Sequence, residues 1–251
     1  MTESAAPRLS FRDGFALLLR SVGLVLRAGP VRSWFVFTLA SSAVCLAVCA
    51  FALWPLAGQV VSWLWVDPAD AQGVKHWAAL ALEVVTYLVL LLASALVVPP
   101  LAMAPWLDAV SEAVEKVESG AEPPPFSISS AVKTTGVALV HTVVRITVTA
   151  LVWVLLLPIH FIPVAGSVAH FAFAAMASCT FLAFEHLATP SARHSVSIRS
   201  LAQLIRPNLR YALGLGAALF ALIAIPFGAL FVAPLGAVAG TLGFIELRRS
   251  H

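Results

Sequence analysis

Charge is scarce in this 251-residue chain: Asp, Glu, Lys and Arg make up 11% of it, against 61% hydrophobic residues. Soluble domains carry about 25% charged residues. A water-soluble globule of this size is therefore excluded, because too little polar surface exists to cover it. Cysteine is scarce as well. Cys45, Cys49 and Cys179 all lie inside apolar runs, without metal-ligand spacing, and read as small packing residues. Enzyme signatures are missing: the sequence holds no zinc-protease helix motif, phosphate-binding loop with lysine, dinucleotide fingerprint or nucleophile elbow. No catalytic residue, metal or cofactor is expected, and no nucleic-acid partner. A cleavable signal needs a short apolar core and a small-residue cleavage site. Here arginine stands at 8, 12, 20, 27 and 32 among leucine and valine, which is not that pattern.

What the chain does have is long uncharged runs. Residues 34–66 carry no Asp, Glu, Lys or Arg. A helix of that length spans about 50 Å, against roughly 30 Å of bilayer hydrocarbon. Its Leu, Phe and Val residues each favour insertion by roughly 0.3–0.6 kcal/mol, and no central charge opposes them. A polar loop at 66–75 leads to a second long helix over about 76–118, where Pro99, Pro100 and Pro105 are expected to kink or interrupt it. A proline-rich loop at 119–130 follows. Residues 131–187 read as a helical hairpin, turning at Leu157-Pro158-Ile159-His160-Phe161-Ile162-Pro163 and ending before Pro190. Residues 211–251 read as a C-terminal hairpin and tail, broken at Pro226 and Pro234. Its arms of about 15 and 12 residues fall short of the roughly 20 a crossing needs, so partial insertion is expected.

Two further segments are amphipathic. In the first (within residues 1–33), Arg8, Arg12, Arg20 and Arg27 share an arc with Asp13, while Phe15, Leu18, Val22 and Val25 lie roughly opposite. In the second (188–210), Arg199, Gln203, Arg206 and Arg210 share a face. Both match interfacial helices whose basic side meets water and lipid phosphate. Arg12, Arg20, Arg27, Arg199 and Arg206 are the candidate lipid-facing cations. The expected fold is thus an all-α integral membrane protein, one membrane domain over 1–251. It comprises long transmembrane helices (34–118), partly inserted hairpins and two interfacial helices. Of the 15 lysines and arginines, 14 fall on the side that holds both termini or near it, and Lys75 alone lies opposite. Both termini are therefore expected in the cytoplasm.

Candidate ligand residues are few. Ala28-Gly29-Pro30 ends the first helix and starts the next. Beyond it, residues 31–33 offer backbone N–H groups beside Arg32. Gly29, Pro30, Val31, Arg32 and Ser33 can hold an oxyanion, or form a plain turn with a headgroup-facing arginine. Arg145 lies deep in an apolar run, where insertion costs roughly 2.5–3.5 kcal/mol. It must snorkel, pair, or face a polar path such as one for an anion. Counted back from the hairpin tip, Glu185 lies level with about Gly136, which makes Lys133 its expected structural partner. His141, His160 and His170 read as packed, neutral histidines.

Several stretches resemble the CysZ-type sulfate permeases and the wider etoposide-induced-protein membrane family. These are Arg27-Ala28-Gly29-Pro30-Val31-Arg32, then Ala104-Pro105-Trp106-Leu107 with the acidic segment 108–116, then Phe161-Ile162-Pro163-Val164-Ala165-Gly166. In the C-terminal third they are Pro190, His194, Ile225-Pro226-Phe227-Gly228-Ala229-Leu230 and the run from Ala233-Pro234-Leu235-Gly236 to Thr241. Ala188-Thr189-Pro190 stands where the family has Asp-Tyr-Pro. The resemblance implies an inner-membrane helical protein of bacteria, homo-oligomers, membrane-lipid contacts and uptake of a small inorganic anion, sulfate. It also supports an anion site at Gly29 to Ser33. The alternative in the same family is a structural or lipid-interacting membrane protein without transport.

Overall fold

A computed structural model describes residues 9–65, 72–120, 136, 143–144, 147–162, 165–194, 196–225 and 228–250. Among these residues the elements are all helical: α1 (Phe11–Arg27), α2 (Gly29–Leu64), α3 (Val74–Ser119), α4 (Thr147–Ile159), α5 (Ala165–Arg193), α6 (Ile198–Ile205), α7 (Leu209–Ile223) and α8 (Gly228–Arg249). A 3₁₀ turn, Leu157–Phe161, closes α4. The helices α2, α5, α8 and the first part of α3 are long and apolar enough to cross a membrane. The all-α integral membrane fold follows from this.

The prolines do less than expected. α3 runs unbroken for 46 residues, through Pro99, Pro100 and Pro105. Pro55 lies inside α2, Pro190 inside α5 and Pro234 inside α8. A proline removes one donor, whereas a break in lipid would strand several backbone groups that no water can reach. Two expected boundaries therefore move. The helix expected to end before Pro190 continues to Arg193. The second arm of the C-terminal hairpin starts at Gly228 rather than at Pro234 and has 22 residues, about 33 Å. α7, with 15 residues, is the short arm.

The chain packs as two compact units, one of Met1–Leu39 and Ala104–His251, the other of Ala40–Met103. In the first unit α8 is the buried centre. Every residue from Pro234 to Phe244 is buried, so it is apolar on all sides. Gly236, Ala237, Ala239, Gly240 and Gly243 keep it thin, which lets neighbouring backbones approach. At Gly240 the closest neighbour is the carbonyl of His186, the acceptor that Pro190, lacking an N–H, cannot use. Leu17, Leu24, Val31, Phe35, Val110, Leu187, Leu215 and Leu247 complete the core.

α1 begins with a capping box: the Ser10 hydroxyl accepts from Asp13 N–H, and Asp13 Oδ2 accepts from Ser10 N–H at 2.8 Å. The helix then packs on α7 and α8 through Gly14, Leu17, Ser21, Leu24 and Val25. Phe11, Phe15, Leu19, Val22 and Leu26 stay 39–71% exposed. The apolar side read from periodicity thus divides in two. One half rests on protein and the other is open, as suits a helix with two apolar surroundings. The crossing with α7 is reciprocal. A Cβ on Gly14 would run into the Tyr211 carbonyl, and one on Gly214 into that of Phe11. In α6 the buried residues are Leu201 and Ile205.

The second unit joins the rest of α2 to the first part of α3. Ala57, Val61 and Ala79 are fully buried. The Trp54 and Tyr87 rings meet edge to face at 5.2 Å, and Gly58 lies against the Glu83 carboxylate.

Gly14→Leu tests the α1–α7 crossing. Overpacking against backbone costs about 1–3 kcal/mol, so Tm in detergent is expected to fall by about 2–12 °C for a chain of this size. Gly23→Ala, which meets open space, is expected to leave Tm unchanged or slightly raised.

Candidate functional site: the start of α2 and a buried charge cluster

The junction of α1 and α2 is a single extended residue, Ala28, whose N–H bonds Leu24 O. Arg32 N–H in turn bonds Ala28 O at 2.9 Å. The expected trio of free donors at 31–33 is therefore smaller, since the Arg32 N–H is used and Ser33 lies one full turn into α2, after Gly29. Among the described residues the N–H groups of Gly29 and Val31 have no backbone acceptor, and only that of Gly29 is exposed. The Ser33 hydroxyl donates to Gly29 O at 3.1 Å. Gly29, Pro30, Arg32 and Ser33 are exposed and Val31 is fully buried, so Val31 anchors the turn while its neighbours face outward. Arg32 forms no ion pair among the described residues. Just beyond, Trp34 stacks on Trp106 at 6.3 Å and Phe37 meets Trp106 edge-on at 5.0 Å, tying the start of α2 to α3. Arg145, the second candidate anion ligand, lies outside the described residues, as do Lys133 and His141.

The five candidate lipid-facing arginines are used differently. Arg20 pairs with Glu246, which also accepts the Tyr211 hydroxyl at 2.6 Å. Arg27 pairs with Glu118 at 3.4 Å. Arg12, Arg199 and Arg206 are exposed, with no ion pair among the described residues. His170 is packed as expected: its Nδ1 is 3.1 Å from Leu156 O and its ring meets Trp153 edge-on, joining α4 to α5.

A second polar group was not foreseen. α3 places Asp108, Ser111, Glu112 and Glu115 within two turns of one another. The C-terminal extension of α5 brings Arg193 to them, its side chain 10% exposed. Arg193 Nη2 donates to Asp108 Oδ1 at 2.5 Å and to Asp108 O at 2.7 Å. Its Nη1 lies 3.1 Å from Glu115 Oε2. His194 Nε2 is 3.2 Å from Glu115 Oε1, its Nδ1 is 3.5 Å from Arg248, and its ring stacks on Phe244. Thr241 of α8 bonds Ser111 at 2.7 Å, both fully buried. Burial pushes the Glu112 carboxyl up from its ordinary value; Asp108 and Glu115 add to this, and Arg193 and Lys116 oppose it. The sequence signal was present in the acidic spacing of 108, 112 and 115. Its partner was hidden because Arg193 reaches the cluster only when the helix passes through Pro190.

The profile of the family described as Sulfate transporter CysZ/Etoposide-induced protein 2.4 matches residues 17–234. The chain belongs to this family. No match was found among the curated proteins. The CysZ/etoposide-induced protein 2.4 match spans both the α2 start and most of the charge cluster. Within the matched range, Asp108 and Glu115 of α3 meet Arg193 and His194, about 80 positions away in sequence, in that cluster. As a member of the CysZ-like family the protein is a multi-pass membrane protein.

Two substitutions probe the cluster. Arg193→Ala leaves Glu115 buried without its cation and is expected to destabilise by about 3–5 kcal/mol, read as a large Tm loss in detergent. Glu112→Gln tests the raised carboxyl. Ionised Glu112 opposes folding, so this group's stabilising share is full below its ordinary pKa near 4.5 and is lost as pH rises through the raised value. The Tm gain of Glu112→Gln over wild type is expected to be positive at pH 7.5 and to vanish below that ordinary pKa.

Proposed function

We propose that this protein carries a small oxyanion, sulfate first, across the bacterial inner membrane. The observation that carries the reading is Arg32: an exposed arginine with no ion pair among the described residues, at the first turn of a 36-residue helix, in a chain of the CysZ-like family. The start of a helix carries roughly half a positive charge. With the exposed N–H group of Gly29 and the Arg32 guanidinium, it offers an oxyanion both charge and donors. The Trp34–Trp106–Phe37 group beside it suits the headgroup depth, where tryptophan accumulates. Arg145 supplies a second charge along the path. Both termini face the cytoplasm, the working form is a homo-oligomer, and Arg12, Arg199 and Arg206 contact anionic lipid. The second reading is a lipid-interacting protein without transport, favoured by the open apolar side of α1 next to Arg12.

Uptake of labelled sulfate into proteoliposomes decides between them. Wild type is expected to exceed empty vesicles, and Arg32→Ala to fall by roughly tenfold or more, the worth of one charge-assisted hydrogen bond. Wild-type uptake no greater than that of empty vesicles overturns transport and leaves the lipid-interacting reading.

A further inference from the structure

The middle turns of α2 have two unlike sides. Val44, Val48 and Phe51 are 61–84% exposed, a surface suited to acyl chains. Ser42, Cys45 and Cys49 recur at helical spacing on the other side, where Ser42 is buried and the two thiols are half-buried. Polar groups on a membrane helix turn away from lipid and mark interiors or paths.

Ser42 differs from several other hydroxyls of the apolar helices. Those of Ser33, Thr38, Ser62, Ser94, Ser178 and Thr180 each donate to a carbonyl three or four residues earlier, at 2.8–3.1 Å. That back-bond is the local remedy for a hydroxyl in an apolar setting. Ser42 does not take it. Its Oγ is fully covered and has no hydrogen-bond partner among the described residues, a costly state for a donor away from water. One and two turns further on, Cys45 and Cys49 add weak S–H donors on the same side. None of the three is charged. Neutral donors in series can replace part of the hydration shell of an anion without trapping it, which passage requires.

We propose that Ser42, Cys45 and Cys49 form a row of neutral donors on α2 that hands the permeating oxyanion on towards Arg32, ten residues earlier in the same helix and nearer the cytoplasm. The proposal rests on the transport reading above and names further residues for it.

The native thiols test it without altering the row. The Cys179→Ala protein in sealed liposomes is treated with an anionic methanethiosulfonate, a cationic one, and lipid-permeant N-ethylmaleimide, and modification is read by mass. The anionic reagent is expected to modify Cys45 and Cys49 several-fold faster than the cationic one, and added sulfate to slow it several-fold. In uptake, Ser42→Ala is expected to lose roughly tenfold and Ser42→Thr to retain activity. Modification by N-ethylmaleimide alone, no modification at all, equal rates with both charged reagents, or rates indifferent to sulfate would each overturn the row. If wild type takes up no sulfate, transport falls, and labelling with sulfate protection still decides the row by itself.

Discussion

Backbone hydrogen bonding in a medium without water is the constraint on which the rest of this molecule depends. Each N–H and C=O in lipid must find its partner within the chain, and a continuous helix is the local way to do so. This is why α3 persists through Pro99, Pro100 and Pro105, and why α5 and α8 continue through Pro190 and Pro234. In water a proline is a common place to stop, because solvent repairs the ends. Here stopping exposes more polar groups than the missing bond does. The positions of Arg193 and of the first turns of α8 follow from that difference.

With backbone groups satisfied inside each helix, association rests on close approach and a few polar links. The thin surface of α8 supplies the first. Gly240 lies on the backbone of α5 and Gly243 against Leu17 and Leu187. The links gather towards the helix ends that carry charge. Glu246 holds both Arg20 and Tyr211, joining α1, α7 and α8. Arg193, between Asp108 and Glu115, joins α3 to α5. Removing one partner from such a buried pair costs more than the pair contributes, so these residues constrain one arrangement rather than adding much stability.

The same economy of charge frames the functional reading. Among the described residues Arg20, Arg27 and Arg193 each meet a carboxylate, whereas Arg12, Arg32, Arg199 and Arg206 form no ion pair. Arg32 stands at the start of α2, where backbone dipoles add to its charge.

Much of this was legible in the residues themselves. The paucity of charge and the uncharged run over 34–66 determined a membrane protein of long helices. The spacing of arginine and leucine determined that α1 and α6 are amphipathic, and the short motifs from Gly29 to Thr241 pointed to the family. These are local properties, set by transfer of side chains between water and oil. Three matters were decided only in the folded molecule. Periodicity could not say which half of α1's apolar side meets protein, because lipid and a packed helix are equally apolar. Proline rules learned from soluble helices misplaced the end of α5, because the cost of stopping depends on what surrounds the chain. The meeting of Asp108 and Glu115 with Arg193 and His194 joins residues about 80 positions apart, and a pairing at that separation exists only once the helices between them have packed.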